Sequence, residues 1–177
     1  EDDSTETYDA QGKLLSVRQR NGWTMTLSYH PNNPNQLTTI TNHFGRQLNL
    51  IYDEAGRLSQ LLPPGAIAHL GPGNAASPIR YSYQEIASLG VNVPAANQLS
   101  SVTWQDGTVK RYHYENASFA NALTGVTDEA NTRIGTYLYN AKGQVAETSK
   151  TGGADRLVFT YSGTSTSLVD YSGPNNT

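Results

Sequence analysis

The chain has 177 residues and a mass of 19.2 kDa, the size of one ordinary domain. Only 15% of its side chains are charged, and 12 Lys and Arg against 15 Asp and Glu leave a net charge of -3, which excludes a basic nucleic-acid footprint and a polybasic membrane patch. The absence of cysteine excludes a disulfide scaffold, a thiol nucleophile and every thiolate metal site.

Thr, Ser, Asn and Gln together number 58, whereas Leu, Ile, Val and Phe number 34. A shortage of aliphatics accompanies disorder when net charge is high and aromatics are few. Here 11 Tyr, 3 Phe and 2 Trp replace them, and 16 Gly supply turns, so the composition predicts β structure.

After a lead-in over 1–7, the heptapeptide Tyr8-Asp9-Ala10-Gln11-Gly12-Lys13-Leu14 opens the pattern. Asp followed three residues later by Gly is the signature of a type I turn, with Gly taking the awkward φ. The apolar stretch Leu14 to Val17 follows, then the turn signal Asn21-Gly22, then a returning strand with Met25, Leu27 and Tyr29 at a period of two. An insertion from Pro31 to Gln36 precedes Leu37 to Ile40, the turn Phe44-Gly45 and the strand carrying Leu48, Leu50 and Tyr52. The heptapeptide recurs as Tyr52-Asp53-Glu54-Ala55-Gly56-Arg57-Leu58 and leads into Leu58 to Leu61.

A Pro/Gly-rich insert over 63–78 lies inside the longest stretch without charge, Leu58 to Ile79; its prolines rule out a membrane helix, and Gly71-Pro72-Gly73-Asn74 reads as flexible loop rather than a phosphate loop. Ile79, Tyr81 and Tyr83 form the next returning strand, followed by an insertion from Gln84 to Asn97 and the strand Leu99 to Val102. Asp106-Gly107 is a turn leading to Tyr112 and Tyr114. An insertion from Glu115 to Ala122 precedes Leu123 to Val126, the turn Ala130-Asn131, and Tyr137 with Tyr139. A third heptapeptide, Tyr139-Asn140-Ala141-Lys142-Gly143-Gln144-Val145, the turn Gly152-Gly153 and the strand with Leu157, Phe159 and Tyr161 complete an array over 8–161 of about six repeats. The remaining 162–177 reads as a partial repeat and tail, and the chain as a section of something longer.

Two strands per repeat predict roughly 12 to 14 strands in all. The returning strands carry Tyr and aliphatics on one face and polar residues on the other. The two apolar residues after each turn are three apart, which a flat strand would put on opposite faces, so a bulge, or a Leu that packs from the turn itself, is expected there.

The pattern Tyr-Asp-x-x-Gly-Arg-Leu, fitted without departure from Tyr52 to Leu58, resembles the Rhs or YD-repeat family of bacterial Rhs toxins, the C component of Tc toxins and the teneurins. Leu123-Thr124-Gly125-Val126-Thr127-Asp128 resembles the family's Leu-x-x-Val-Thr-Asp, while Lys13, Gln144 and Asn140 depart from its pattern. The resemblance implies an all-β fold in which tandem hairpins form a curved, spiralling antiparallel sheet, a section of a hollow β-shell. It also implies the partners of a secreted or cell-surface bacterial polymorphic toxin, namely the remaining repeats of the shell and an enclosed toxin domain. The residues that define the repeat are Tyr8, Asp9, Gly12, Tyr29, Tyr52, Asp53, Gly56, Arg57, Tyr81, Tyr83, Tyr112, Tyr114, Tyr137, Tyr139, Gly143 and Tyr161. The family's autoproteolytic Asp-Pro-x-Gly-Leu motif does not occur in this sequence.

His30, His43, His69 and His113 fall in different repeats with no base-to-nucleophile or metal-ligand spacing, so no catalytic residue, metal or cofactor is expected. His30 and His69 sit beside turn residues and His113 on the polar face. The competing function is a carbohydrate-binding or protein-interaction module, with Tyr81, Tyr83, Tyr112, Tyr114, Tyr137 and Tyr139 as a stacking platform; the plainer reading makes these tyrosines the core of the sheet. Open sheet edges near Tyr8 and Tyr161 would favour edge-to-edge self-association.

Overall fold

The computed structural model describes residues 3–84 and 98–171. Among them fourteen strands form an antiparallel sheet whose hydrogen-bonded order follows the chain, with β1 and β14 outermost. The only helical piece among the described residues is a short 3-10 turn, Thr151–Gly153. The insertion from Gln84 to Asn97 lies outside the described residues except for its first position.

The chain divides into two compact units. The first comprises 1–80 with 104–107. It holds β1 (Thr5–Tyr8), β2 (Leu14–Arg18), β3 (Thr24–His30), β4 (Asn33–Thr41), β5 (Gln47–Tyr52), β6 (Leu58–Leu62) and the first two residues of β7 (Ile79–Tyr83). The second comprises 81–103 with 108–177. It holds the rest of β7, then β8 (Leu99–Thr103), β9 (Val109–His113), β10 (Gly125–Thr127), β11 (Arg133–Tyr139), β12 (Val145–Ser149), β13 (Leu157–Ser162) and β14 (Ser165–Asp170). Thr5 to Thr7 of the lead-in are thus already strand, and Pro31 to Gln36 is largely an extension of β4 beyond a tight turn.

The expected turns form as the Asp/Asn-to-Gly spacing requires. The Gly12 N–H bonds the Asp9 carbonyl at 3.1 Å and the Asp9 N–H bonds the Lys13 carbonyl at 2.9 Å, with Gly12 at φ 82. Residues 53–57 and 140–144 repeat the two bonds. At the opposite sheet edge the same geometry appears at Gln19–Trp23, Asn42–Arg46, Asp128–Thr132 and Lys150–Ala154. The dipeptides Asn21-Gly22 and Phe44-Gly45 are therefore the second halves of four-residue turns, and both edges use one design. Asn131, at φ 61, takes the position that Gly fills elsewhere, as Asn tolerates the left-handed region best among residues with a Cβ.

The departures from the heptapeptide pattern are chemically matched. Asp9 Oδ1 accepts the Gln11 and Lys13 N–H groups while Oδ2 faces Lys13 Nζ at 3.9 Å. Asp53 Oδ1 accepts the Arg57 N–H and Oδ2 takes Arg57 Nε at 2.7 Å. In the third copy both partners are neutral: Asn140 Oδ1 accepts Lys142 and Gln144 N–H, and its Nδ2 donates to Gln144 Oε1 at 3.0 Å. Each copy thus closes its turn with a side-chain pair across positions two and six of the heptapeptide.

The expected bulge is present. Tyr52 pairs with Leu58 but Ile51 with Gln60, leaving Ser59 extra; Leu15, Thr38 and Ala146 are extra in the same way beside Tyr8, Tyr29 and Tyr139. Where the bulged residue carries a hydroxyl, it bonds the carbonyl just before the Tyr: Thr38 Oγ1 to Ser28 and Ser59 Oγ to Ile51, each at 3.1 Å. The bulge returns the second apolar residue to the Tyr face.

The core is thin, because a lone sheet has no second layer to bury a face against. Among the described residues the buried hydrophobics are Leu62 in the first unit and Val102 in the second. Tyrosines supply much of the cover. Tyr29 Oη donates to the Leu14 carbonyl and Tyr52 Oη to the Leu37 carbonyl, both at 2.8 Å; Tyr114, Tyr139 and Tyr161 reach Leu99, Leu123 and Val145 at 3.3, 2.8 and 2.7 Å. In every case the acceptor is a main-chain carbonyl 15 or 16 residues earlier in the chain. A phenol that reaches a main-chain carbonyl on a neighbouring strand lies down across the sheet instead of standing off it. Lys13 Nζ then sits 4.8 Å from the Tyr29 ring centre and covers it in turn.

The insert over 63–78 departs from the expectation of a flexible loop. Its Ser77 and Pro78 are the most completely buried side chains of the described chain. Gly73 and Asn74 N–H donate to the Gln105 carbonyl at 2.8 and 3.1 Å, and Gln105 Nε2 donates to the Ala75 and Ser77 carbonyls at 2.6 and 2.8 Å. Gln105 belongs to the β8–β9 turn, so this pinning joins segments some 30 residues apart, which local turn chemistry does not encode.

The tyrosine bond predicts a difference between copies. Tyr52→Phe keeps the ring and loses the hydroxyl bond, and is expected to lower unfolding free energy by about 0.5–1.5 kcal/mol. Tyr8, whose hydroxyl meets only the nearby Glu6 carboxylate and whose side chain is half exposed, is expected to tolerate the same change within about 0.5 kcal/mol in urea denaturation.

Candidate functional site

The tyrosines considered as a stacking platform are mostly occupied with the sheet. Burial raises the hydroxyl pKa of Tyr81 and Tyr114, with Tyr112 the second cause in both, which brings these three together in the second unit. Tyr114 and Tyr139 hold main-chain carbonyls. The Tyr137 hydroxyl lies where a Cβ on Gly135 would meet it at 2.9 Å, so the ring folds back over its own strand. All six are half-buried. Among the described residues no group of three His, Asp or Glu converges as a metal site.

The exposed aromatic surface lies elsewhere. In the first unit, the turn over 19–22 and the turn over 42–45 place Trp23, His43 and Phe44 side by side. The Trp23 and Phe44 rings meet edge to face at 5.2 Å, His43 and Phe44 at 5.3 Å, and Trp23 and His43 lie near parallel at 6.4 Å. Trp23 is 48% and Phe44 66% exposed, against the usual preference of such rings for burial. With Val17 and Met25, which face each other across β2 and β3, they wall a recess of about 300 Å³. Gln19, Thr24 and Asn42 complete its rim. Val17, Met25 and Phe44 entered the sequence reading only as strand and turn positions of the repeat, His43 only as a histidine without catalytic or metal-ligand spacing, and Trp23 not at all; the signal available in the sequence was aromatic residues flanking a turn, where a solvated polar residue is the norm.

The second unit carries one dense polar network. His113 Nε2 lies 2.7 Å from Thr127 Oγ1, and its Nδ1 lies 3.9 Å from Glu115 Oε1. Arg133 grips Glu115 with two parallel bonds of 3.1 and 2.8 Å and donates a third, at 2.8 Å, to the Thr124 carbonyl. Thr124 Oγ1 accepts the Glu115 N–H at 3.0 Å, and its own proton is within reach of Glu115 Oε2 and the His113 carbonyl. The Arg133 guanidinium lies directly over Gly125; a Cβ there would meet it at 2.3 Å, so the small residue is what admits the arginine. Arg133 and then Thr124 hold the Glu115 carboxyl down at about 2, against the burial that opposes them.

An imidazole between a hydroxyl and a carboxylate is the outline of a nucleophile triad. The details point away from that chemistry. Thr127 is 8% exposed, the carboxylate stands beyond hydrogen-bond reach of Nδ1, and Arg133 already neutralises it. The arrangement ties β9, β10 and β11 together.

No family model matches this chain, and no curated protein matches it. Solved structures do match. A TcdB2-TccC3-Cdc42 crystal structure is 15% identical over 90% of this chain with a TM-score of 0.38. TcdB2-TccC3 is 16% identical over 94% with a TM-score of 0.35, and TcdB2-TccC3 without its hypervariable C-terminal region is 15% identical over 90% with a TM-score of 0.34. This chain spans 9% to 11% of the length of those chains.

The Glu115 carboxyl carries a pH signature. Its folded pKa is depressed, so its contribution to stability is fully present above the ordinary carboxylate value of 4.5 and is lost as pH falls toward about 2. Solvent screening at this partly exposed pair limits that contribution to about 1 kcal/mol. Glu115→Gln is expected to lower stability at pH 7 by that order and to flatten the acid limb of the stability profile, read by thermal unfolding between pH 2 and pH 6.

Proposed function

We propose that this chain is a section of the wall of an Rhs-like toxin shell, a non-enzymatic β-sheet whose role is to enclose a cargo domain until delivery from a bacterial cell. The observation that carries the reading is the recurring tyrosine hydroxyl bond to an earlier repeat at Tyr29, Tyr52, Tyr114, Tyr139 and Tyr161. A unit that fastens to its predecessor by the same bond each time can be tiled without limit, which is what an extended wall needs and what a compact catalytic domain does not. The low charge supports it: a wall of neutral polar groups and tyrosines offers an unfolded chain neither strong ionic capture nor a continuous greasy surface. In this proposal the contact among Thr127, His113 and Glu115 is a tie between strands.

The test is protease protection. The chain is expressed with the coding sequence that flanks it, and limited proteolysis is followed with time. A C-terminal segment that stays intact while the wall is folded, and is degraded about tenfold faster or more once Tyr52→Ala and Tyr139→Ala loosen the wall, is the expected result. Equal degradation of the segment with and without the wall refutes enclosure.

A further inference from the structure

The aromatic recess of the first unit is unexplained by a wall. Wall stability asks for buried rings, yet Trp23 and Phe44 are left out in solvent beside Met25, itself 38% exposed. Conformational accident does not account for the arrangement, because the two turns that present the rings are both closed by main-chain bonds. Gln19 N–H donates to the Trp23 carbonyl at 2.8 Å, and Asn42 N–H to the Arg46 carbonyl at 3.0 Å. Asn21 Oδ1 and Asn42 Oδ1 each accept further N–H groups that fix the ring-bearing residues, Trp23 at 3.0 Å and Phe44 at 3.0 Å.

We propose that this recess is a binding site for a neutral carbohydrate, one or two pyranose rings in extent. Three features select that chemistry. The lining carries no formal charge, so it has nothing to hold a phosphate, carboxylate or ammonium group. One wall is aromatic and aliphatic, and an exposed indole is the surface on which the axial C–H face of a pyranose stacks. The rim is amide and imidazole: the Gln19 carboxamide, Asn42 Nδ2 and the His43 ring nitrogens have no hydrogen-bond partner among the described residues, and such groups both donate to and accept from vicinal hydroxyls. An apolar peptide side chain would use the wall and leave the rim unpaired, which costs affinity. A volume of about 300 Å³ is at the small end of ligand sites and suits a mono- or disaccharide instead of a long polymer segment. The site does not depend on the wall reading, and its failure would leave that reading untouched.

The test uses the full chain, whose two indole N–H resonances, from Trp23 and Trp104, are assigned with Trp23→Phe. Cellobiose, maltose, lactose and chitobiose are titrated, alongside the tripeptide Ala-Phe-Ala and a sulfated disaccharide. The expected result is saturable movement of the Trp23 signal, with the Trp104 signal still, for at least one neutral sugar. By isothermal titration calorimetry, Trp23→Ala is expected to weaken that sugar about tenfold or more, Phe44→Ala and Gln19→Ala less, and Trp23→Phe within about threefold of the parent. Phe44 and Gln19 are exposed, so their variants remain informative if Trp23→Ala disturbs folding. The proposal is overturned if no neutral sugar moves the Trp23 signal at about 20 mM, a concentration at which even a weak site would be partly filled. Stronger binding of the tripeptide or the sulfated sugar, or unchanged sugar binding by all three truncations, also overturns it.

Discussion

A single sheet has two faces to protect and one layer with which to do it. In this protein the difficulty is met by laying tyrosines flat, each with its hydroxyl on a main-chain carbonyl near the turn of an earlier repeat. The bond gives each of these phenols a main-chain acceptor and ties its strand to the strand before it. Tyrosine is the only common side chain with the reach, the flat apolar body and the terminal donor for this. Phenylalanine covers but does not anchor, and leucine does neither at that distance. The excess of tyrosine over leucine-like residues follows from the architecture.

The bulge and the turn serve the same bond. Gly at the fourth turn position brings the chain back in register, the extra residue after the first apolar side chain restores the face, and the carbonyl of that apolar residue is then presented to the next tyrosine. Changes in one part are met in another. The acidic–basic pair of the first two heptapeptides becomes an amide pair at Asn140 and Gln144, so the turn is closed by hydrogen bonds of either kind. Function, on this reading, is a property of the tiling, whereas specific recognition has to come from residues outside the repeat pattern, such as Trp23, His43 and Phe44.

Much of this was written locally in the sequence. The heptapeptide spacing determined the turns, the period of two determined the faces of the returning strands, and the three-residue offset after each turn called for a bulge or a Leu packed from the turn, of which the folded sheet has the bulge, at Ser59 and its equivalents. These are legible because each depends on residues within a few positions of one another. Two-strand hairpins of this kind leave little choice of partner, so the strand order follows the chain.

Tertiary structure alone decided the rest, and always where a side chain met a segment distant in sequence. Gln105 pins the insert over 63–78 from a turn about 30 residues away, converting a loop rich in Pro and Gly into a folded one. Arg133 finds Glu115 over Gly125, and a glycine that looks like a weak point in a strand turns out to be the space for a guanidinium. The hydroxyls of Tyr29, Tyr52, Tyr114, Tyr139 and Tyr161 span 15 or 16 residues to their carbonyls, a distance no pattern of period two reveals. Trp23 and His43 come within 6.4 Å only because two separate turns share one sheet edge. Periodicity specifies which face a residue occupies; which neighbours it meets on that face is fixed by register between strands, and register is a property of the folded sheet.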